Sequence, residues 1–456
     1  MDLPNDFKKL IQSMLGGETE LFISSLSTSS TTSIRINHAK SASIGTNPVG
    51  FNDTPVPWCP DGQYLTSRPS FTSDPLFHAG AYYVQEASSM FLHHLLSAHL
   101  DKTTIKALDF CAAPGGKSTL LASSLPSGSL LFCNEFVRSR SQILRENIIK
   151  WGNPNVIVTN NNSDDYAHSG VQFDLILCDA PCSGEGMFRK DPAAITEWSL
   201  ENVNHCHHRQ REIISTIWDC LSPGGLFIYS TCTYNTKEDE DNAAFIEETL
   251  GGIALDSEIP SSWGIDRKNY SGRQTPVYRF FPHKALGEGF FICVFRKPDG
   301  VPAKARKHKE LKHKSTAKIP MEIKYFIKDA QDYTFCVTAD GTIYAFNVDY
   351  SDFIDLSFTS LTVVHAGVEL ARLKGKKYIP SQSLAMSNII ELGRFPHIEA
   401  DLKTALSYLR CESLYLPNAP KGYVLITYHG YPLGFVNNIG SRANNLYPNE
   451  WRIRHL

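Results

Sequence analysis

The sequence predicts an α/β protein: a doubly wound parallel sheet, preceded by a small α+β region and followed by a β-rich one. Three observations carry that prediction. Between about 101 and 297, short apolar runs alternate with helix-like segments, the texture of strand–helix–strand units. Before residue 100, one amphipathic helical pattern leads into a short alternating run and a proline-rich stretch. After 321, aromatic and β-branched residues alternate around Asp340-Gly341 and His429-Gly430, where hairpin turns are expected. A chain of 456 residues suits two or three domains. The divisions fall at 1–100, 101–297, a linker at 298–320, and 321–456.

Taken in order, Pro4 and Asn5 introduce a helix whose apolar side is Phe7, Leu10, Ile11, Met14 and Leu15, stopped by Gly16-Gly17. A Ser/Thr-rich connector then reaches the strand-like IRIN (34–37). Six prolines between 47 and 75 predict an ordered irregular wrap. The central strands are IKALDF (105–110), SLLFCNEF (129–136), NVIVTN (155–160), FDLILCDAP (173–181) and GLFIYSTCT (225–233). RSRSQILRENIIKWG (138–152) is an intervening helix, and FFICVFRK (290–297) is expected as a final antiparallel strand. From Lys304 to Lys318, seven basic residues stand against Glu310 alone. That run reads as a solvated linker, with attraction to an RNA backbone as the sharper alternative.

Composition bounds the function. At 42% hydrophobic and 20% charged the chain has the make-up of a soluble globular protein. Its start, MDLPNDFKKL, lacks the pattern of a signal peptide, and no stretch approaches the roughly 18 apolar residues of a membrane span. A cytoplasmic protein with no membrane partner is expected. Eleven cysteines lie scattered without C-x-x-C pairs or zinc-like spacing, so no metal is expected and most thiols should be buried and reduced. The formal charge of −3 neither demands nor excludes nucleic acid.

The turn DFCAAPGGKSTLL (109–121) follows the first central strand. Its Gly116-Lys117-Ser118 resembles the tail of a triphosphate loop, but that pattern needs glycine where Cys111 stands. In a doubly wound sheet ligands sit at the carboxyl ends of the strands, and small residues such as Ala112, Ala113, Gly115 and Gly116 permit close approach. The helix starting near Lys117 points amide donors at an anion. Glu135 ends the next strand about 20 residues beyond Gly115, the spacing of an acid that binds ribose hydroxyls; the plainer reading is a surface acid capping a helix. Together these favour S-adenosylmethionine over a triphosphate.

DAPCSGEG (179–186) and STCT (230–233) also follow apolar runs, which places Cys182 and Cys232 at the same sheet edge. A free cysteine is ordinarily a small core residue, but these two sit in polar turns, where a thiolate can be exposed. Thiols suit one reaction in particular. Carbon 5 of cytosine is too poor a nucleophile to take a methyl group from a sulfonium. A thiolate adding to carbon 6 makes an enamine whose carbon 5 can attack; loss of the carbon-5 proton then expels the thiol. Asp179 is placed to hydrogen-bond the ring. These residues alone do not rank the two thiols.

LDFCAAPGGKST, CNEF, DAPCSGEGMFRKDP and PGGLFIYSTCTYNTKEDE resemble the motifs of RNA 5-methylcytosine methyltransferases of the Sun/RsmF type. The likeness extends to SIRIN and VPWCPDGQYLTSRPSFTSDPLFHAGAYYVQEASSM upstream. Downstream, HGYPLGFVNNIGSRANNLYPNEWRIR is similar to the PUA-like module of the RsmF branch. The resemblance implies a Rossmann-like, S-adenosylmethionine-dependent methyltransferase sheet between an N-terminal RNA-binding domain and a PUA-like C-terminal domain. It implies that Cys111, Ala112, Ala113, Pro114, Gly115, Gly116 and Lys117 form the cofactor loop, and that Glu135 holds the ribose. It implies further that Asp179 faces the target base, Cys232 is the nucleophile and Cys182 assists product release. One departure is Asn162, standing where the family usually has an aspartate near the adenine.

The expected activity is therefore an RNA (cytosine-5-)-methyltransferase acting as a monomer, with small-subunit ribosomal RNA as the leading substrate and transfer RNA as its rival. A ribosome assembly factor without needed chemistry and a triphosphatase are the readings from other classes. The intact Cys182, Cys232 and Asp179 argue against the first, and Cys111 against the second. For RNA contact, Phe188, Arg189 and Lys190 are candidates beside the target base, Tyr82 and Tyr83 for stacking, and Arg442, Arg452 and Arg454 for phosphates; the plain alternative for each aromatic is packing. His365 and the stretch 393–397 carry no readable signal.

Overall fold

The computed structural model describes residues 2–44, 54–269, 275–300, 319–375 and 377–454. The basic run from Lys304 to Lys318 lies outside the described residues.

The first helix spans Asn5–Leu15 and buries Phe7, Ile11 and Leu15, one face at helical spacing. Gly16, at φ 54°, ends it. Phe7 packs edge-on to Phe188 at 5.0 Å and to Trp198 at 5.7 Å, so this helix leans on the chain that follows Cys182. Strands β1 (Thr32–Ile36), β2 (Thr54–Pro55), β3 (Gly62–Leu65) and β4 (Tyr82–Val84) form a sheet in the order β2-β3-β1-β4. The proline-rich stretch is thus more regular than its composition predicts. Of its described prolines only Pro55 lies in a strand, the edge strand β2, where a missing amide donor is tolerated.

The central sheet contains β5 (Lys106–Asp109), β6 (Leu130–Asn134), β7 (Val156–Thr159), β8 (Phe173–Asp179), β9 (Leu221–Thr231), β10 (Ile253–Leu255), β11 (Asp266–Asn269), β12 (Pro276–Phe280) and β13 (Phe290–Arg296). Neighbours among β7-β6-β5-β8-β9 are parallel, and β13 runs antiparallel to β9. Alternate residues feed opposite cores. Ala107, Leu131, Val158 and Leu177 pack with Leu121, Leu144 and Ile148 on one side; Leu108, Phe132, Ile157 and Ile176 pack with Tyr166, Ile214 and Ile246 on the other. Both faces are covered by helices, as a doubly wound sheet requires. The carboxyl ends of β5, β6, β8 and β9 deliver Asp109, Asn134, Asp179 and Thr231 to one edge.

The C-terminal region holds β14 (Tyr333–Val337), β15 (Thr342–Asn347), β16 (Val363–Ala366), β17 (Val368–Lys374), β18 (Lys377–Pro380), β19 (His397–Glu399), β20 (Gly422–Tyr428), β21 (Tyr431–Asn438) and β22 (Ala443–Asn445). Two four-stranded sheets form, β14-β15-β17-β18 and β19-β20-β21-β22. The His429-Gly430 turn joins β20 to β21 with both residues at positive φ, the two-residue hairpin expected there.

This region is not the separate body its composition predicts. Strand β16 pairs antiparallel with β7 at the edge of the central sheet. Its Leu384, Tyr408, Val424 and Phe435 share one apolar core with Ile34, Ile36 and Tyr82 of the first sheet. Burial of apolar faces across the two regions, in addition to packing within each, is invisible to a reading by composition. Among the described residues, no helix is long and apolar enough to cross a membrane.

Candidate active site

After β5 the chain turns through Cys111–Gly115 into the helix Gly116–Ser124. Gly115 is its N-cap at φ 115°, a left-handed conformation that side chains rarely adopt. The loop is held from behind by the helix Arg138–Trp151. Asn147 Nδ2 donates to the Pro114 carbonyl at 2.8 Å and an Arg140 guanidinium nitrogen to Ala113 at 2.9 Å. Beneath it, the Ser118 hydroxyl donates to Asp109 at 2.6 Å, and the other Asp109 oxygen is buried without a hydrogen bond. Burial pushes the Asp109 pKa up to about 7.

The Glu135 carboxylate accepts from the Val137 amide at 2.8 Å and faces Arg140 at 3.5 Å. Phe136 beside it is exposed. Asn162 caps the helix Ser163–Ser169 in a reciprocal pair with Asp165: Asn162 Oδ1 accepts from the Asp165 amide at 2.8 Å, and the Asn162 amide donates to the Asp165 carboxylate. Its side-chain oxygen is thereby committed, leaving Nδ2 for any partner in the cavity.

Strands β8 and β9 bring the two cysteines together. The Cys182 and Cys232 sulfurs lie 3.1 Å apart and both thiols are free. The neighbouring Cys232 sulfur, then burial, push the Cys182 thiol well above its ordinary range. Lys117 Nζ donates to Asp179 at 2.8 Å, and the Ser230 hydroxyl takes the other Asp179 oxygen at 2.8 Å. Burial alone would lower the Lys117 pKa; Asp179, Cys232 and Asp109 outweigh it and the net shift is upward. Lys117 is thereby held as an ammonium against Asp179. Cys111 is different: contact with Cys178, then burial, push its thiol well up, and it behaves as a structural thiol.

One cavity of about 430 Å³ is walled by Cys111, Glu135, Asn162, Asp179, Cys182 and Cys232, with Ala113 also on its wall. Ala112, Pro114, Gly115, Gly116 and Lys117 lie off that wall and shape it from behind. A second cavity of similar size opens near Ser129, Asn155 and Tyr333, away from both thiols, and its described lining carries no charged side chain.

The sequence reading overlooked Phe136, Arg140 and Arg209 on the wall and Asp109 beneath it. Phe136 had a signal, an aromatic directly after the strand-end acid; Asp109 had none, because its burial comes from the helix above. Other expectations are corrected. Phe188 is fully buried against Phe7, and Arg189 and Lys190 both pair with buried Glu288, at 2.9 and 3.5 Å. Phe188 and Arg189 thus pack the loop, while Lys190 remains exposed beside it. Tyr82 is likewise buried, its hydroxyl donating to Asp74 at 2.6 Å, and Tyr83 packs half-buried toward Gly116. Arg442, Arg452 and Arg454 are exposed.

Comparison with known proteins yields three family matches. Residues 95–296 match 16S rRNA methyltransferase RsmB/F, residues 3–87 the N-terminal domain of 16S rRNA methyltransferase RsmF, and residues 395–453 the methyltransferase RsmF PUA domain. The chain is 32% identical to the ribosomal RNA small subunit methyltransferase F of Enterobacter sp. (strain 638), over 89% of this chain and 85% of that one. With the protein of the same name from Escherichia coli (strain SE11) it shares 30% over 92% and 89%. Among solved structures, a methyltransferase homolog from Pyrococcus horikoshii is 27% identical with TM-score 0.54, covering 64% of this chain and 94% of that one. NSun6 from Pyrococcus horikoshii with SFG matches in fold, at TM-score 0.55 and 21% identity, covering 65% and 99%.

Proposed function

Because the chain belongs to the RsmF family of 16S rRNA methyltransferases, we propose that it forms 5-methylcytidine in small-subunit ribosomal RNA, using S-adenosylmethionine. The observation that carries this reading is the pair of thiols at adjacent strand ends, 3.1 Å apart, with Lys117 and Asp179 beside them. No step of simple O- or N-methylation calls for two thiols in contact.

The residues present fit the cofactor. Glu135 offers a carboxylate for a ribose diol, Phe136 an apolar ring and Asn162 Nδ2 a donor for adenine. The 116–124 helix offers amide donors at Gly115-Gly116 for a carboxylate. Bound there, S-adenosylmethionine supplies an electrophilic methyl group.

The protein's own groups divide the remaining work. Cys232, the cysteine of the TC motif on the cavity wall, is the nucleophile adding to carbon 6, as the family resemblance implies. Asp179, held by Lys117 and Ser230, is fixed to accept a hydrogen bond from the amino group of the base and so orient the ring for addition. Once carbon 5 is methylated, its proton passes to a base and the carbon 6–sulfur bond breaks, its electron pair returning to Cys232. Cys182, kept protonated, donates a hydrogen bond to that departing sulfur. Exposed Arg442, Arg452 and Arg454 are suited to backbone phosphates.

The test is transfer of labelled methyl from S-adenosylmethionine to transfer RNA, naked ribosomal RNA and assembled small subunits, each from cells lacking the protein. Label in 5-methylcytidine from a ribosomal pool is expected. Label confined to transfer RNA would move the substrate; no label in any pool, with the cofactor bound, would leave an assembly role.

A further inference from the structure

Two carboxylates lie beneath the thiols, and the chemistry above does not use them. Glu185 and Glu238 are 1% and 0% exposed, and neither makes an ion pair among the described residues. Each belongs to one cysteine loop and grips the other. Glu185, three residues after Cys182, accepts the backbone amides of Tyr234 and Asn235 at 2.8 and 3.0 Å, just after Cys232. Glu238, six residues after Cys232, accepts the amide of Ser183 at 3.0 Å, next to Cys182. Asn235 joins them, its Nδ2 lying 3.0 Å from Glu185 and 2.8 Å from Glu238. Trp198 Nε1 completes Glu185, and Gln210 Nε2 completes Glu238 while also holding the Pro181 carbonyl.

Every partner of these two side chains is a donor. An ionised carboxylate offers only acceptors, so charge-assisted N–H contacts stand in for a missing cation. An amide in either place would turn its own N–H₂ toward one of those donors. Gly186 completes the arrangement: its amide donates to the Cys232 carbonyl at 2.9 Å, and a Cβ there would lie 2.5 Å from the Gly289 carbonyl. The backbone on both sides of Cys182 and Cys232 is therefore tied through this network, which adds to the Ser230–Asp179 bond at the strand ends and the Ser183–Thr233 hydroxyl contact at 3.1 Å.

Resting on the cytosine-5 reading above, we propose that Glu185 and Glu238 are positioning residues, a reciprocal clamp that sets the separation of the Cys182 and Cys232 sulfurs. Hand-over from the adding thiol to the assisting thiol needs that contact, and a displacement near 1 Å is enough to slow a positioned reaction on the order of a hundredfold.

The test uses the full chain with Glu185→Gln and Glu238→Gln and two readouts. The first needs no RNA. Diamide, a two-electron thiol oxidant, converts the two thiols to a disulfide and is itself reduced to the hydrazine; the Cys182–Cys232 peptide is followed by mass spectrometry. Both variants are expected to form that disulfide about tenfold more slowly than wild type. The second is the split between kcat and KM: kcat is expected to fall about tenfold with the KM for S-adenosylmethionine within about twofold. Should Glu185→Gln not fold, Trp198→Phe removes one Glu185 donor and is expected to shift both readouts about threefold in the same direction. Disulfide formation at the wild-type rate in the variants overturns the clamp, as does a parallel loss of kcat, cofactor binding and melting temperature. If wild type methylates no cytosine while the disulfide rate still responds, the reaction assignment fails and the clamp stands.

Discussion

At one end of the cavity Glu135 and Asn162 are hydrogen-bonded by neighbours two or three residues away, whereas at the thiol end the loops are held from some fifty residues away. Glu135 takes the amide of Val137, and Asn162 pairs with Asp165. Cys182 and Cys232, by contrast, sit in loops tied by Glu185 to Asn235 and by Glu238 to Ser183. The difference follows from what each end must do. A nucleotide-like ligand is recognised by groups that a local turn can present correctly. Under the proposed chemistry, two thiols that act on one ring must be fixed relative to each other, which contacts between the two loops can do.

Predictions follow that contrast, the largest effect first. Cys232→Ala is expected to abolish methyl transfer, by about a thousandfold or more, with cofactor binding intact. Retained turnover in a labelled-methyl assay would put the nucleophile elsewhere and dissolve the distinction between the two ends. Asp109 lies buried under the 111–117 loop, bonded to Ser118, and its substitution is read in stability. A carboxyl whose native pKa is raised from 3.8 to about 7 binds protons more tightly in the folded state. Its stabilising contribution is full below pH 3.8 and is lost as pH rises to about 7, a span worth roughly 4 kcal/mol at most. Asp109→Asn should therefore gain stability over wild type as pH rises from 4 to 7, then run parallel above. Denaturant melts across that range check it; a gain that grows toward low pH would contradict the assignment.

Smaller changes are expected at the locally built end. Phe136→Ala should weaken S-adenosylmethionine binding about tenfold in calorimetry, with kcat at saturating cofactor nearly unchanged. Asn162→Asp should change that affinity by about threefold or less, because aspartate can still cap the 163–169 helix through the Asp165 amide. A large drop in kcat from either would mean that the two ends are coupled more tightly than their contacts imply.

The same contrast explains what could be read in the sequence. The parallel strands were legible because each is a short apolar run buried on both faces, and the turn at 111–117 because its small residues and spacing have a local cause. Cys182, Cys232 and Asp179 were legible as strand-end residues. Phe188 and Arg189 were misread because their packing depends on Phe7 and Glu288, one far upstream and one about a hundred residues downstream. Glu185 and Glu238 stood inside the two cysteine motifs with no sign of the link between them: Asn235 is local to Glu238, but the amides of Ser183, Tyr234 and Asn235 that cross between the loops become neighbours only in the fold. The shared core between the first sheet and the C-terminal strands was hidden for the same reason. The covalent chemistry and the residue roles rest on geometry together with family membership, and sequence physics alone left the two thiols unranked.

The most direct measurement is a denaturing gel of Cys182→Ala after incubation with substrate RNA and S-adenosylmethionine. With Cys232 free to add and no thiol left to assist its departure, a slow-migrating covalent protein–RNA band is predicted, and Cys182→Ala combined with Cys232→Ala should lack it. Unimpaired methylation by Cys182→Ala without any such band would contradict the account.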